Sequence, residues 1–109
     1  MDISALARKH LERRLSPLRE MMLVRPERGW LRAMRDALGM TTRQLALRMG
    51  KAQSTIAELE KSEARETASL ASLREAAEAM GCELVYAIVP QVPIDDILRA
   101  RAEDIAAQQ

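Results

Sequence analysis

Two short helical segments joined by a glycine, within residues 41–60, constrain the fold of this chain more than any other feature. Thr41 and Gln44 have the spacing of a capping box, in which the threonine hydroxyl accepts from the third amide of the helix and the glutamine reaches back. The helix is about two turns long and ends at Gly50, which tolerates the positive φ of a tight turn. A second helical pattern begins near Gln53. The sequence therefore predicts two helices held at a fixed angle by a very short turn.

The residues around this turn suit such a crossing. Ala46 is small where the second helix passes close to the first, and four apolar side chains have the spacing needed to fix the angle: Leu45, Met49, Ile56 and Leu59. Helical patterns also flank the pair, at residues 28–38 and 69–80, and the glycines that follow them are placed as C-caps. This order of helices is that of a helix-turn-helix domain.

The composition favours packed helices. Phenylalanine is absent, and the aromatic residues are Trp30, expected at the edge of the core, and Tyr86. The core must therefore be built from Leu, Ala, Met, Ile and Val. One cysteine, Cys82, excludes an internal disulfide and is expected to be a small buried residue, and His10 is expected to be solvated or packed.

Several classes of function have no support in the sequence. We find no nucleophile–base pair, phosphate-binding glycine loop or metal cluster, so we expect no enzyme activity, no cofactor and no metal. No membrane span or signal peptide is apparent, and a cytoplasmic, nucleoid-associated location in a bacterium is expected.

The charges are distributed unevenly. Residues 1–51 hold 12 Lys and Arg against 5 acids, whereas residues 52–109 hold 5 against 11, so that the halves carry +7 and −6 and the chain +1. A basic half favours contact with a polyanion, although solvated helix faces would explain the charges equally well.

In a helix-turn-helix, the first turn of the second helix enters the DNA major groove. Glutamine can pair with adenine, serine with several bases, and the threonine methyl with thymine. The predicted base-reading residues are therefore Gln53, Ser54, Thr55 and Glu58. The predicted phosphate contacts are Thr42, Arg43, Lys51, Lys61 and Arg65. Ordinary helix capping is the alternative role for Gln53, Ser54 and Thr55.

The termini are predicted to extend this domain. Residues 3–15 have amphipathic helical spacing, Ser16-Pro17 is placed to restart a helix to about Leu23, and a last helix opens at Pro93. We therefore expect a helical extension at residues 1–26, a DNA-binding domain at 27–81, a dimerisation strand at 82–90 and a helical tail at 91–109.

The strand is predicted because residues 84–89, within the strand-like run 83–89, are apolar on both faces. A lone strand cannot satisfy its own backbone, so antiparallel pairing with a second copy is expected. The pairing residues would be Leu84, Val85, Tyr86, Ala87, Ile88 and Val89. In the alternatives, this segment continues the preceding helix or pairs near Val24.

Residues 29–81 resemble the five-helix, lambda-repressor-like domain of Xre/Cro-type repressors. The matching residues are Gly39-Met40-Thr41, Leu45-Ala46, Gly50, Ser54-Thr55-Ile56 and Leu59-Glu60, although Ser62 stands where such repressors often have glycine. The resemblance implies a mainly α fold, with the predicted strand and terminal helices added to it.

The whole chain also resembles the mobile mystery protein A family, through residues 13–19 and 82–90. That resemblance implies an antitoxin-like regulator of a Fic-type AMP-transferase. The inhibitory motif of Fic-blocking helices is not satisfied, because Leu59 follows Ser54 and Glu58 where glycine or asparagine is needed.

Two functional hypotheses follow. In the first, a homodimer binds double-stranded operator DNA as a repressor, while residues 3–23 or 90–109 engage a Fic-domain toxin. In the second, the protein inhibits a partner without binding DNA.

Overall fold

The computed structural model describes residues 2–21 and 23–108. Within these ranges it contains six helices: α1 (Ile3–Met21), α2 (Trp30–Ala37), α3 (Thr42–Met49), α4 (Gln53–Ala64), α5 (Leu70–Ala79) and α6 (Ile94–Ala107). The chain divides into two compact units. One, the central unit, comprises residues 24–86 and contains α2 to α5. The other, the terminal unit, combines residues 1–23 with 87–109 and contains α1 and α6.

Local sequence signals set the ends of the central helices. The predicted capping box is confirmed at α3: the Gln44 amide donates to the Thr41 hydroxyl at 3.0 Å, and the Thr41 amide donates to the Gln44 side chain at 2.8 Å. Gly50 ends α3 in the left-handed conformation, with φ of 65°. Ser69 caps α5 by accepting from the Ser72 amide at 3.1 Å. These bonds satisfy amides that a helix leaves without partners.

The core of the central unit consists of aliphatic side chains from all four of its helices. Leu45 and Ile56 are fully buried, one from each helix of the predicted pair. The other buried apolar residues are Leu31, Ala46, Ala76 and Met80. Burial of a Leu or Ile side chain contributes about 1.5–3 kcal/mol, so this contact fixes the angle between α3 and α4.

Glu63 is a buried carboxylate that caps α2 from a distant point in the sequence. Its two oxygens accept from the amides of Trp30 and Leu31, each at 2.8 Å. Gly29, with φ of 92°, precedes these amides, and a Cβ atom there would lie 2.6 Å from the Glu63 carboxylate. Gly29 is thus required both by its backbone conformation and by the close approach of Glu63.

The predicted C-terminal strand is wrong. Residues 82–90 are neither helix nor strand, and the structure contains no strand among the residues it describes. The side chains of Val85, Tyr86 and Ile88 are exposed, at 78%, 63% and 92%. The physical reason is that a run apolar on both faces favours a strand only where a hydrogen-bonded neighbour is present, and no other described segment of the chain pairs with this one.

Two further expectations differ from the structure. Residues 29–81 contain four helices, α2 to α5, instead of the five of a lambda-repressor-like domain, and residues 82–90 after them add no further helix. In the terminal unit, α1 runs through Ser16 and Pro17 without the predicted restart. Proline removes one amide donor from the helix, but the flanking turns keep their helical conformation.

The terminal unit joins α1 to the segment before α6 through polar contacts. The Glu12 carboxylate binds the Arg19 guanidinium and accepts from the Ile94 amide at 3.0 Å, while Arg19 also donates to the Pro90 carbonyl at 3.3 Å. The Arg19 hydrogen bond, followed by that of the Ile94 amide, lowers the pKa of Glu12 from its ordinary value. No described residue of α1 or α6 is fully buried.

Candidate nucleic-acid interface

The turn between α3 and α4 comprises Gly50, Lys51 and Ala52. The Lys51 amide donates to the Ala46 carbonyl at 2.9 Å, and the Thr55 amide donates to the Ala52 carbonyl at 3.0 Å, so the turn is closed by backbone hydrogen bonds on both sides. Together with the buried contact of Leu45 and Ile56, these bonds make α3 and α4 one rigid element. The helix-turn-helix geometry predicted from the sequence is confirmed.

Gln53 is the first residue of α4, and its side chain is held by α3. The Gln53 side-chain amide donates to the Thr42 hydroxyl at 2.9 Å. An amide NH₂ has two donor hydrogens and a separate carbonyl acceptor. One hydrogen and the carbonyl therefore stay available for the bidentate contact that glutamine makes with adenine. The structure thus brings together a predicted base-reading residue and a predicted phosphate-contacting residue.

The other predicted base-reading residues lie exposed on α4. Ser54, Thr55 and Glu58 line an open groove of about 420 Å³ between α4 and α5. Their exposure matches the prediction that they point away from the core of the central unit. Glu58 can accept from the amino group of cytosine, whereas Ser54 and Thr55 supply hydroxyls.

Lys51 lies at the edge of the same groove, where its ammonium group is 3.6 Å from the Glu75 carboxylate of α5. Both side chains are about half exposed, so this ion pair is weak and can exchange for a phosphate contact. The contact with Glu75 was not anticipated, because the two residues belong to different helices.

A second groove, of about 330 Å³, lies on another side of α4. Its lining includes Thr42 and Lys61, which were predicted to contact phosphate, and also Arg28 and Arg32, which were not. The missed residues belong to a run of arginines at three- and four-residue spacing, at positions 25, 28, 32 and 35. That spacing could have indicated a basic surface formed by α2 and the residues just before it.

The remaining predicted contacts do not line either groove. Arg43 is exposed in the first turn of α3, and Arg65 is exposed at the C-terminal end of α4, where its amide donates to the Lys61 carbonyl at 3.1 Å. Arg43 therefore lies beside Thr42 at the N-terminal end of α3. Arg65 lies at the other end of α4 from Gln53, about three helical turns away.

Beneath the second groove, Arg35 joins α2 to α4. Its guanidinium donates to both carboxylate oxygens of Glu60, at 2.7 and 2.9 Å, and to the Met40 carbonyl at 2.8 Å. The Glu60 hydrogen bonds raise the pKa of Arg35 above its ordinary value against the effect of burial. This bidentate, largely buried pair orients the helix that carries Gln53.

The geometry defines a helix-turn-helix protein. A scan against family models agrees: the family described as helix-turn-helix matches residues 31–86, just over half of the chain. The chain belongs to this helix-turn-helix family of DNA-binding regulators. Comparison with curated proteins and with solved structures gave no match.

No helix among the described residues is both long and apolar enough to cross a membrane. Over residues 2–21 and 23–108, no group of three or more His, Cys, Asp or Glu side chains is arranged to hold a metal ion.

Proposed function

We propose that this protein is a sequence-specific transcriptional repressor that binds operator DNA through α4. The observation that carries the proposal is the hydrogen bond between Gln53 and Thr42, which holds the Gln53 side chain at the first position of the second helix. In helix-turn-helix proteins this position faces base edges in the major groove.

Base recognition is assigned to the exposed residues of α4. Gln53 pairs with adenine, and Glu58 accepts from cytosine one turn further along the helix. Ser54 and Thr55 add short polar and methyl contacts between them. The helix is rigidly placed by Arg35 and Glu60, so the pattern of donors and acceptors is presented without large rearrangement.

Phosphate contacts are assigned to the basic residues around α4. Arg28, Arg32 and Lys61 converge on the second groove, and Arg43 is exposed in the first turn of α3, next to Thr42 in the sequence. Lys51 would contribute from the first groove by leaving Glu75. Such contacts raise affinity for all sequences and make binding sensitive to salt, because counterions are released from the DNA.

We further propose that the protein binds as a homodimer. Two copies related by a two-fold axis would place their α4 helices in successive major grooves about 34 Å apart, on a palindromic site. The exposed apolar residues of the terminal unit support association with a second copy.

The test is fluorescence anisotropy with the protein's own upstream DNA and with a scrambled duplex, each at two salt concentrations. Gln53→Ala should weaken binding to the specific duplex by about 1–3 kcal/mol and leave the scrambled duplex unaffected. Arg43→Ala should weaken binding to both duplexes alike and reduce the salt slope by about 1.

A matched control is available outside the helices. Gln91→Ala changes an exposed glutamine that precedes α6 and should leave both affinities unchanged. Equal effects of Gln53→Ala on the two duplexes would refute the assignment of base reading to α4.

An antitoxin-like role toward a Fic-type AMP-transferase is a second proposal, supported by the resemblance of residues 13–19 and 82–90 to the mobile mystery protein A family. Co-expression with a Fic-domain AMP-transferase, followed by co-purification, tests this role. Failure to form a complex would remove the antitoxin role and leave the repressor.

The competing function is inhibition of a partner without DNA binding. Charge reversal by Arg43→Glu and Lys51→Glu separates the two. A repressor loses binding to its operator, whereas a pure interaction protein keeps all of its activity.

A further inference from the structure

An apolar stripe runs along α1 on the side away from its polar contacts. Its five members, with the exposed fraction of each side chain, are Ile3 (88%), Leu6 (45%), Leu11 (47%), Leu18 (37%) and Met21 (58%). At 3.6 residues per turn these side chains fall within an arc of roughly 140°. We refer to these five residues as the α1 stripe. An amphipathic helix in water normally buries such a stripe against another element.

The α1 stripe is separate from the surface that α1 uses within the terminal unit. Contacts to α6 and to the segment before it come from Arg8, Glu12 and Arg19, of which Arg8 lies 4.0 Å from the Asp95 carboxylate. These three residues occupy a different arc of the helix from the stripe. On this same side of α1, Leu15 is half-buried, as is Leu98 of α6, so this side is partly covered by apolar as well as polar groups, while the α1 stripe stays exposed.

The α6 helix also exposes apolar side chains. Ile97 and Ile105 are 37% and 55% exposed, and no residue of α6 is buried. A pair of helices without a buried residue lacks the core that stabilises helices in water. The terminal unit thus has two partly uncovered apolar surfaces, one on each helix.

The charges of the two helices are opposite. Helix α1 carries five cations against two carboxylates, a net charge of +3, whereas α6 carries two cations against four carboxylates, a net charge of −2. Arg13 and Arg14 are exposed on α1, and Glu103 and Asp104 are exposed on α6. Two copies of α1 would repel each other, whereas α1 and α6 attract.

We propose that the α1 stripe docks against α6 of a second copy of this chain, and that α6 receives α1 of that copy in return. The contact is isologous, because the same two surfaces meet twice about a two-fold axis. It produces four helices around a shared apolar centre. The inference rests on the proposed function in one respect, since a palindromic operator requires two copies of the protein.

The test is the molar mass of the full chain, measured by size-exclusion chromatography with light scattering without DNA. The chain has a mass of 12.2 kDa, so the proposal expects about twice that value for the wild-type protein. Two charge-swapped chains are then compared. One carries Arg13→Glu and Arg14→Glu, and the other carries Glu103→Arg and Asp104→Arg.

Each swapped chain alone should be monomeric, with a dimer dissociation constant raised at least about tenfold, because like charges meet at both contacts. An equimolar mixture should recover the dimer, since the acidic α1 of one chain then meets the basic α6 of the other. If the substitutions disrupted only contacts within one chain, mixing the two swapped chains would not restore the dimer.

Further variants keep the test decisive. Leu11→Glu with Leu18→Glu should give a monomer with unchanged helix content by circular dichroism, while Leu47→Glu, at a residue of the central unit that is 73% exposed, should stay dimeric. A monomeric wild-type protein, a chain with the α1 swap that stays dimeric, or a mixture that stays monomeric would overturn the proposal. Because no DNA is present, these outcomes are independent of whether α4 binds an operator.

Discussion

The hydrogen bond between Thr42 and Gln53 gives a quantitative prediction for DNA binding. Thr42→Val keeps the shape of the side chain and removes the hydroxyl that accepts from Gln53 at 2.9 Å. Immobilising a glutamine side chain costs up to about 1.5–2 kcal/mol of rotamer entropy. Because the bond to Thr42 already orders the Gln53 side chain in the free protein, less of this entropy is lost when DNA binds. The bond is solvent-exposed, so its net value is about 1 kcal/mol.

We therefore expect Thr42→Val to weaken binding to the specific duplex about fivefold, which corresponds to about 1 kcal/mol. In a Gln53→Ala background the same substitution should cost only a few tenths of a kcal/mol, because the side chain that it positions is gone. The expected coupling energy between Thr42 and Gln53 is therefore slightly below about 1 kcal/mol.

The assay is a double-mutant cycle by fluorescence anisotropy on the upstream duplex, with circular dichroism to show that each variant is folded. The scrambled duplex is the control and should show no coupling. Additive effects on the specific duplex, with a coupling energy below about 0.3 kcal/mol, would refute the role of Thr42 in positioning Gln53.

Two more predictions concern the scaffold. Glu63→Ala removes two charge-assisted hydrogen bonds to the start of α2 and should destabilise the central unit by about 3 kcal/mol, which lowers Tm by roughly 12–24 °C in calorimetry. The control, Glu58→Ala on the exposed side of α4, should change the free energy of unfolding by no more than about 0.5 kcal/mol. A similar loss of stability in both variants would contradict the capping role of Glu63. Because the folded-state pKa of Glu12 is lowered from 4.5, its contact should stabilise the terminal unit above that pH and be lost as pH falls through the lowered pKa. A carboxyl titration by NMR should show this lowered pKa and its return toward 4.5 in Arg19→Leu, and an unchanged titration in that variant would contradict the assignment.

The elements that could be predicted from the sequence are those fixed by local chemistry. The capping box of Thr41 and Gln44, the left-handed Gly50 and the Ser69 cap each depend on residues within one turn of the chain. The pairing of Leu45 with Ile56 followed from helical periodicity across a short turn. These signals were sufficient to place α3 and α4, and with them the exposed side of α4.

Contacts between distant residues had no comparable signal. Glu63 caps a helix 32 residues earlier in the chain, and Arg35 binds Glu60 across 25 residues. Spacing along one helix does not reveal such pairs. Arg28 and Arg32 were missed in the candidate interface for a similar reason, because their convergence with Lys61 depends on the packing of α2 against α4.

The strand was predicted wrongly because a local sequence pattern was present but its pairing partner was not specified by that pattern. The apolar run of residues 84–89 predicts a strand, but the segment is neither helix nor strand in the structure. Strand formation depends also on a neighbouring chain segment, which the pattern itself does not specify. In the structure the side chains of Val85, Tyr86 and Ile88 are exposed.

Selection of binding sites from a pool of randomised DNA duplexes tests the central claim most directly. The purified full chain is incubated with the pool, and the bound duplexes are recovered and sequenced over several rounds. The account predicts enrichment of a palindromic site whose half-sites are about one helical turn apart, and loss of preference at one position of each half-site in Gln53→Ala. Recovery of DNA without any enriched sequence, or of the same site with Gln53→Ala, would contradict sequence reading by α4.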